Sequence, residues 1–573
     1  MRRFTTSLVL AVAVTAATAG SAGAATASSA WLGNPALGTL LPGNDTESFL
    51  QKVGPDGTTT LLWINESDDL RMVRIAPNGK YGTPVTVNLL PNDTSAGGFG
   101  FTLDKNGAGV IVWKDTTISG STVKLRRFDK KGKLAATAAT VTTGTPANLG
   151  TPSVALASDG FATVVWHEGS TTRVIARRLA PDNSVRGSYT DLCKSDSVKC
   201  ENPHVVGTGG GVSTIVWEES LNGSGELKLR TNQINAGDMV TFAPTLSDAC
   251  SPCSKAVSPA ADGSFGQLQI EQSSGGGVFA AWSDTRIETT TIMMPDPGNP
   301  AVMIPMPGPP IFHKALYARK IGTNGQPVGT VQTLRGDIAS VSEPALAVNS
   351  ADNAIVTWVE NPGGTPVQVF YRRISSSGTM ASAKFVDNSA DSLRSSARLA
   401  SNGTATIAWL KTAGDVNWIN VPKTDSIGRF TKISGNRSTG NAQGPVLASG
   451  KDGTVIATWL NGSDAARRFV SQVNASAPTL ATLKFQGRFK SRQRSGQIRI
   501  NSSKFGTAVV TIAPASRATK FRTRVTRVAV PSGATVVKFN TSGLVRGKYT
   551  VTVQLVDLAG LKVAKSAKLL VTS

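Results

Sequence analysis

The sequence predicts an all-β chain in which eight four-stranded repeat units precede a small β-sandwich. Three observations carry this reading. A tryptophan recurs about every fifty residues, turn dipeptides alternate with short apolar runs inside each period, and the character of the chain changes after residue 480.

The repeat is clearest on its turns. Asp56-Gly57 leads to Trp63, Asn106-Gly107 to Trp113, Asp159-Gly160 to Trp166, Asn402-Gly403 to Trp409, and Asp452-Gly453 to Trp459, always with six residues from Gly to Trp. Looser copies end at Trp217, Trp282 and Trp358, and the eight Trp are spaced by 50, 53, 51, 65, 76, 51 and 50 residues. Asp-Gly and Asn-Gly suit a type I′ hairpin turn, with positive φ at both central positions. In the third unit this turn joins Ser153–Ala157 to Ala162–Glu168. A third strand, Arg173–Leu179, runs to a second turn at Asp182-Asn183, and the other units repeat that turn at Asn78-Gly79, Lys131-Gly132, Asn324-Gly325 and Ser377-Gly378. A weaker fourth strand closes each unit, as at Pro84–Leu90.

Four strands per unit of this length is the pattern of a β-propeller blade. Val164, Val165 and Trp166 are apolar on both strand faces, as required when neighbouring sheets cover a strand from both sides. The last unit, Gly444–Val473, holds only three strands. Residues Ala36–Thr46 echo Pro84–Thr94, the fourth strand of the first complete unit, so the N-terminal segment is expected to complete the eighth blade. Residues 31–475 thus resemble secreted bacterial eight-bladed β-propeller proteins, the sialidase-like group included. The resemblance is architectural: the sialidase Asp-box places Trp three residues after Gly, there is no Arg-Ile-Pro near the first blade, and the Thr-Gly-x-x-Trp motif of quinoprotein propellers is missing. No family catalytic residue carries over to this chain.

Formal net charge is +22, from 59 Lys and Arg against 37 Asp and Glu, and its distribution is uneven. Residues 481–573 hold 18 basic residues and one acid, Asp557; residues 25–480 are near neutral at +3. Arg2-Arg3, the apolar run Leu8–Ala17 and Ala22-Gly23-Ala24 form a cleavable export signal, so a signal peptide at 1–24 and a secreted, extracellular product are expected. No other run is long and apolar enough to span a bilayer. The expected domains are the propeller at 25–473, a linker at 474–480 and the sandwich at 481–573.

Two residues after each Trp stand Asn65, Asp115, Glu168, Glu219, Asp284, Glu360, Lys411 and Asn461. Five of these are acids where the second strand enters its loop, so they are candidates for ligand binding at one mouth of the ring. If the chain is an enzyme, Glu168, Glu219, Asp284 and Glu360 are the first candidates for general acid and base. The competing expectation is cross-strand pairing with the third-strand bases Arg74, Arg126, Arg177, Arg230, Arg319 and Arg372. The blade tryptophans are read as core; Trp31 and Trp418 stand outside the repeat.

Cys193, Cys200, Cys250 and Cys253 lie in two adjacent connections. An even set in an exported chain reads as two disulfides with three possible connectivities, of which Cys193–Cys200 with Cys250–Cys253 closes the two local loops. A four-thiolate zinc site has compatible ligands but conflicts with an oxidising compartment; no metal or cofactor is otherwise implied. The fifth unit carries an insertion, Ile292–Phe312, whose prolines predict an irregular loop. Its Met293 and Met294, with His313 at the exit, are further ligand-binding candidates at the same mouth.

The C-terminal segment predicts seven short strands, the count of a β-sandwich. Leu544-x-x-Gly547-x-Tyr549 followed by Asp557-x-x-Gly560 resembles the closing hairpin of bacterial Ig-like domains. Lys484, Arg488, Lys490, Arg492, Arg494, Arg522, Arg524 and Arg527 alternate with apolar residues and are expected to present a polyanion-binding face. Such binding works by counterion release and carries no sequence information, so sequence-specific nucleic-acid recognition is not expected. The favoured reading is an exported binding or adhesion protein, its propeller face recognising a glycan or protein and its basic domain holding it on anionic envelope or extracellular polymers. The alternative is a secreted glycoside hydrolase or polysaccharide lyase. The missing catalytic signatures favour the first.

Overall fold

The computed structural model describes residues 30–32 and, apart from 242–264, 434–442 and shorter connecting stretches, residues 49–572. Among the described residues every regular element is a strand. Strands between Ala30 and Ala475 form eight antiparallel sheets, which we number one to eight along the chain. The tryptophan strand is second in each: Thr59–Ile64, Gly109–Thr117, Ala162–Glu168, Val212–Leu221, Val278–Asp296, Ala354–Asn361, Ala405–Lys411 and Val455–Asn461. In sheet six the first strand is split into Ser340–Val341 and Ala345–Val348.

The first strand of each sheet contacts the first strand of the next, and the first strand of sheet eight, Gln443–Ser449, returns to Phe49–Val53 of sheet one. Eight apolar clusters match the eight junctions. Each tryptophan packs into the cluster shared with the preceding sheet: Trp113 beside Leu62 and Met72, Trp166 beside Val110 and Val112, Trp459 beside Ala408 and Val416. All eight are at most 2% exposed, so they are core, as the pattern required. The closing junction joins Phe469 of sheet eight to Phe49 and Trp63 of sheet one, with both ring pairs 5.3 Å apart. Ala30–Leu32 then completes sheet eight by pairing with Arg468–Ala475, Trp31 opposite Asn474. The echo at residues 36–46 lies outside the described residues; the segment that closes the sheet precedes it.

The turn chemistry differs from expectation. Gly57, Gly107, Gly160 and Gly403 have positive φ, but the Asp or Asn before each does not. Gly57 N–H bonds Gly54 C=O and Gly54 N–H bonds Thr58 C=O. This is a type I turn ending in a left-handed glycine, the three-residue G1-bulge hairpin, and the acid works through its side chain: Asp56 Oδ1 accepts the Thr58 N–H at 3.0 Å. Both central positions are positive only at Gly210-Gly211 of sheet four, which alone meets the type I′ requirement among the described turns of this kind.

Arginines on the third strands join neighbouring sheets. Arg126 donates to Val87 C=O of the preceding sheet. Its neighbour Arg127 donates forward, to Asn183 Oδ1 at 2.8 Å, Gly160 C=O at 3.1 Å and Ala180 C=O at 2.8 Å of the next sheet. The pair Arg372-Arg373 repeats this, reaching Thr333 behind and Gly403, Val421 and Pro422 ahead. Strand alternation sends adjacent side chains to opposite faces, so two consecutive arginines bridge one sheet to both neighbours.

The insertion in sheet five is also ordered otherwise than expected. Val278–Asp296 and Asn299–Ile321 pair from base to tip, with Met293 opposite Pro305 and Thr291 opposite Pro307. Beyond Asp284 and Lys314 no third strand pairs with this hairpin among the described residues. An outer edge without a ladder partner is where a proline forfeits no bond.

Residues Leu480 to Thr572 form a three-stranded and a five-stranded sheet enclosing one apolar cluster around Val510, Phe539, Tyr549 and Val553. Eight strands stand where seven were expected, because the first divides into Leu480–Phe485 and Phe489–Lys490. Tyr549 Oη donates to Val545 C=O at 2.8 Å and so holds the preceding turn.

The Arg127 contacts predict that Arg127→Met, which keeps the stem and removes three inter-sheet donations, lowers ring stability by roughly 1–3 kcal/mol. Exposed Arg524→Met should change it by less than about 0.5 kcal/mol. Urea denaturation followed by tryptophan fluorescence checks both, since all ten tryptophans lie between residues 31 and 459.

Candidate functional site

The position two residues after each tryptophan sits where the second strand leaves the sheet, and its acids are largely engaged. Glu360 is 1% exposed; its Oε1 accepts Arg335 Nη2 at 2.5 Å and Nε at 3.0 Å, and its Oε2 accepts the Trp358 indole N–H at 3.3 Å. Glu219 receives Arg230 Nη2 and Nε at 2.8 and 2.9 Å. Glu168 accepts the Trp166 indole at 3.3 Å. Asp115 is buried and its carboxyl is pushed up by desolvation, with Lys124 opposing. Backbone pairing sets Asp284 opposite Ala315 and Arg286 opposite His313.

The arginine partners differ from those expected. Of the six third-strand bases Arg230 meets an acid of this ring, as the cross-strand expectation had it. Arg74, Arg126, Arg177, Arg319 and Arg372 donate to backbone carbonyls. Glu360 takes its arginine from the fourth strand of the preceding sheet, and at the next junction the signs are exchanged: Lys411 faces Asp387, which also accepts the Trp409 indole at 2.9 Å. At Glu360 and Lys411 the partner comes from the neighbouring sheet, whereas Glu219 meets Arg230 within its own sheet.

A denser group lies where sheets three and four meet. The first strand of sheet four, Val198–Gly209, bulges between Glu201 and His204, with Asn202 at φ 48°. Before the bulge Glu201 pairs directly opposite Glu218. Asn202 Nδ2 donates to Glu218 Oε2 at 3.2 Å, Lys199 Nζ lies 2.8 Å from Glu201 Oε1, and His167 Nε2 lies 3.9 Å from the same oxygen. Glu218 is 7% exposed. Its carboxyl is pushed up to about 7, chiefly by desolvation and further by Glu201, against the Asn202 hydrogen bond and Lys199. Burial lowers the His167 imidazole against the pull of Glu201, and lowers His204 to about 4. Gly150 leaves room for the imidazole, since a Cβ there would stand 2.9 Å from His167 Nδ1. Like-charged residues directly opposed on paired strands raise each other's cost of ionisation. Glu201, Glu218 and Lys199 escaped the sequence reading because Glu218 is one residue off the repeated position, and a bulge is not visible in the Trp period.

A disulfide joins Cys193, the last residue of the fourth strand of sheet three, to Cys200 of this strand, and their sulfurs lie within 4.8 Å of a Glu219 carboxylate oxygen. Oxidation consumes both thiols as metal ligands. Cys250 and Cys253 lie outside the described residues. Met293 and Met294 are exposed on the long hairpin, together with Ile292, Met303 and Met306; the base of that hairpin touches the first strand of sheet six. The expected single basic face of the C-terminal part is divided. Lys484 is on the three-stranded sheet, while exposed Arg524 and Arg527 are on an edge strand of the five-stranded one. Arg494 is exposed, Lys490 pairs with Thr572, and Arg488, Arg492 and Arg522 lie outside the described residues.

No family model matches the chain, and no curated protein matches it. Among solved structures it is similar to a polysaccharide lyase described as an ulvan lyase, at 10% identity and a TM-score of 0.40, covering 67% of this chain and 95% of that one. It is also similar to the BP39L lectin of Burkholderia pseudomallei, at 9% identity and TM-score 0.36, covering 67% and 98%. An endo-arabinase of Bacteroides thetaiotaomicron matches at 10% and 0.26, covering 47% and 96%. Likenesses this distant carry no functional inference.

The Glu218 carboxyl gives a signed prediction. The folded chain retains a proton that the unfolded chain releases above pH 4.5, so this group's contribution to stability falls as pH rises from 4.5 and levels off above about 7. Glu218→Gln keeps the acceptor for Asn202 and removes the titration. Its stability relative to the parent should therefore rise across that window, by on the order of 3 kcal/mol in all, in urea titrations at pH 4.5, 6 and 7.5.

Proposed function

We propose that the eight sheets are the blades of a β-propeller, that the chain is exported, and that it acts as a binding or adhesion protein. The face carrying the second-to-third-strand connections recognises a glycan or protein ligand. The basic segment 481–573 is a separate Ig-like domain that retains the protein on anionic envelope or extracellular polymers. The observation that carries the binding reading is the engagement of Glu360 and Glu219 by Arg335 and Arg230. A carboxylate whose oxygen takes two guanidinium donors is committed to holding the scaffold rather than turned toward a ligand. The buried Cys193–Cys200 bridge and the absence, among the described residues, of a helix long and apolar enough to cross a membrane are consistent with export.

One observation favours the second reading, a carbohydrate-active enzyme. Glu201 and Glu218 are opposed carboxylates, and Glu218 has an affinity for protons matched to neutral pH.

Glycan-array binding by the full-length protein, with every hit assayed for turnover, separates the two. The binding reading expects hits that survive incubation unchanged and that Glu218→Gln still binds without change. Turnover abolished by Glu218→Gln gives the enzyme instead. Retention on heparin should fall steeply with salt and weaken when Arg494, Arg524 and Arg527 are replaced by Gln. Salt-insensitive retention contradicts the polyanion role.

A further inference from the structure

The long hairpin of sheet five carries half of the chain's methionines. Of eight in the sequence, Met293, Met294, Met303 and Met306 lie on Val278–Asp296 and Asn299–Ile321 within one stretch of regular pairing. Cross-strand partners share a ribbon face and successive residues alternate between faces, so the register sorts the four into two pairs. On one face Met293 stands opposite Pro305 and Met303 opposite Pro295; on the other Met294 stands opposite Ile304 and Met306 opposite Ile292. Each face is thus a square of four residues, with two thioethers on one diagonal and two side chains without donor atoms on the other. Diagonal neighbours lie roughly 7–8 Å apart between backbones, within reach of long side chains. Met has the rotatable bonds to close the remainder.

Packing does not account for these four. Met72 is buried in one junction cluster and Met380 packs against another, the gap-filling use of a flexible side chain. On the hairpin Met293 is 55% exposed, Met303 49%, Met294 47% and Met306 43%. Charge is an independent observation. Residues 287–313 hold two acids, Glu288 and Asp296, and no Lys or Arg, in a chain with 59 of these bases and a net charge of +22. The ribbon is therefore locally electronegative, which favours a cation and disfavours both a polyanion and an anionic lipid surface. Pro295 and Pro305 fix φ beside the first pair, so less freedom is lost when its sulfurs are ordered.

We propose that each face of the hairpin binds a soft monovalent cation, copper(I) or its analogue silver(I), between its diagonal pair of thioethers. Thioether sulfur is a soft donor that selects copper(I), whereas carboxylates, carbonyls and water suit magnesium and calcium. Unlike thiolate, imidazole or carboxylate, it carries no proton to be displaced, so its affinity does not fall at acidic pH. Nor is it consumed by disulfide formation, which takes the thiols of Cys193 and Cys200. The site makes no use of the glycan reading of the ring and stands or falls separately from it.

The test is calorimetric titration of the full-length protein with silver nitrate in chloride-free buffer at pH 7.5 and pH 5. It compares the parent, Met293→Leu with Met303→Leu, Met294→Leu with Met306→Leu, and the fourfold variant. Leu nearly conserves the volume and apolar character of Met, so the variants remove only the sulfurs, and tryptophan-detected unfolding should stay unchanged. Silver bound by cysteine or histidine is common to all four proteins. The expected result is that the parent takes up about two silver ions more than the fourfold variant and that each double variant loses about one. Both differences should persist at pH 5, and calcium nitrate should not distinguish the four proteins. Equal silver uptake by parent and fourfold variant overturns the site and leaves the hairpin an apolar surface, which Leu preserves. A difference that vanishes at pH 5, or that calcium shares, assigns the cation to protonatable oxygen or nitrogen ligands and equally overturns it.

Discussion

The second strand of every sheet is apolar on both faces, and a strand of that kind is stable only with a neighbour on each side. An open row of such sheets would leave the outer face of its first and last members in water. Burial is worth about 25 cal/mol per Å² of apolar surface, so joining the ends is the cheapest remedy. The chain does so twice: Phe469 packs between Phe49 and Trp63, and Ala30–Leu32 adds the strand that sheet eight lacks. Much else follows from this closure. The tryptophans all point into the junction behind them, the adjacent arginines bridge forward and back, and eight first strands converge on one axis.

That constraint also shapes the chemistry at the mouth. Five of the eight positions two residues after a tryptophan are carboxylates, and where such a group is buried, desolvation raises the cost of its charge. Glu219 and Glu360 answer with arginine, and Glu168 with an indole N–H. At the next junction the signs are exchanged between Lys411 and Asp387. These are pairs whose removal would leave a buried charge uncompensated, so they specify the junctions more than they stabilise them. Glu201 and Glu218 depart from the pattern. They oppose each other across one pair of strands, and Lys199 and Asn202 compensate them only in part. Burial and this opposition push the Glu218 carboxyl up to about 7.

The all-β class, the number of sheets and the identity of the second and third strands were legible in the sequence, because period-fifty tryptophans and Gly-to-Trp spacing record strand length directly. Turn geometry was less so. Asp-Gly serves both type I′ and G1-bulge hairpins, and only the length of the loop decides between them. The proline-rich insertion was read as irregular because the free edges of a two-stranded ribbon are a property of its surroundings, not of its composition. Partner choice at Glu360 and the Glu271–Arg398 pair depend on which sheets adjoin. Residues separated by 127 or more positions cannot be matched from one sequence without the ring order. The bulge at Asn202, which sets the opposed glutamates, leaves no periodic trace.

Closure is tested most directly by native-state hydrogen exchange on the full-length protein. If sheet eight covers sheet one, no sheet can open without uncovering two neighbours. The amides of Thr59–Ile64 and Val455–Asn461 should then be as strongly protected as those of Ala162–Glu168 and open with the same free energy. A gradient in which the strands of sheets one and eight exchange first, as in an open array whose ends fray, would contradict the account.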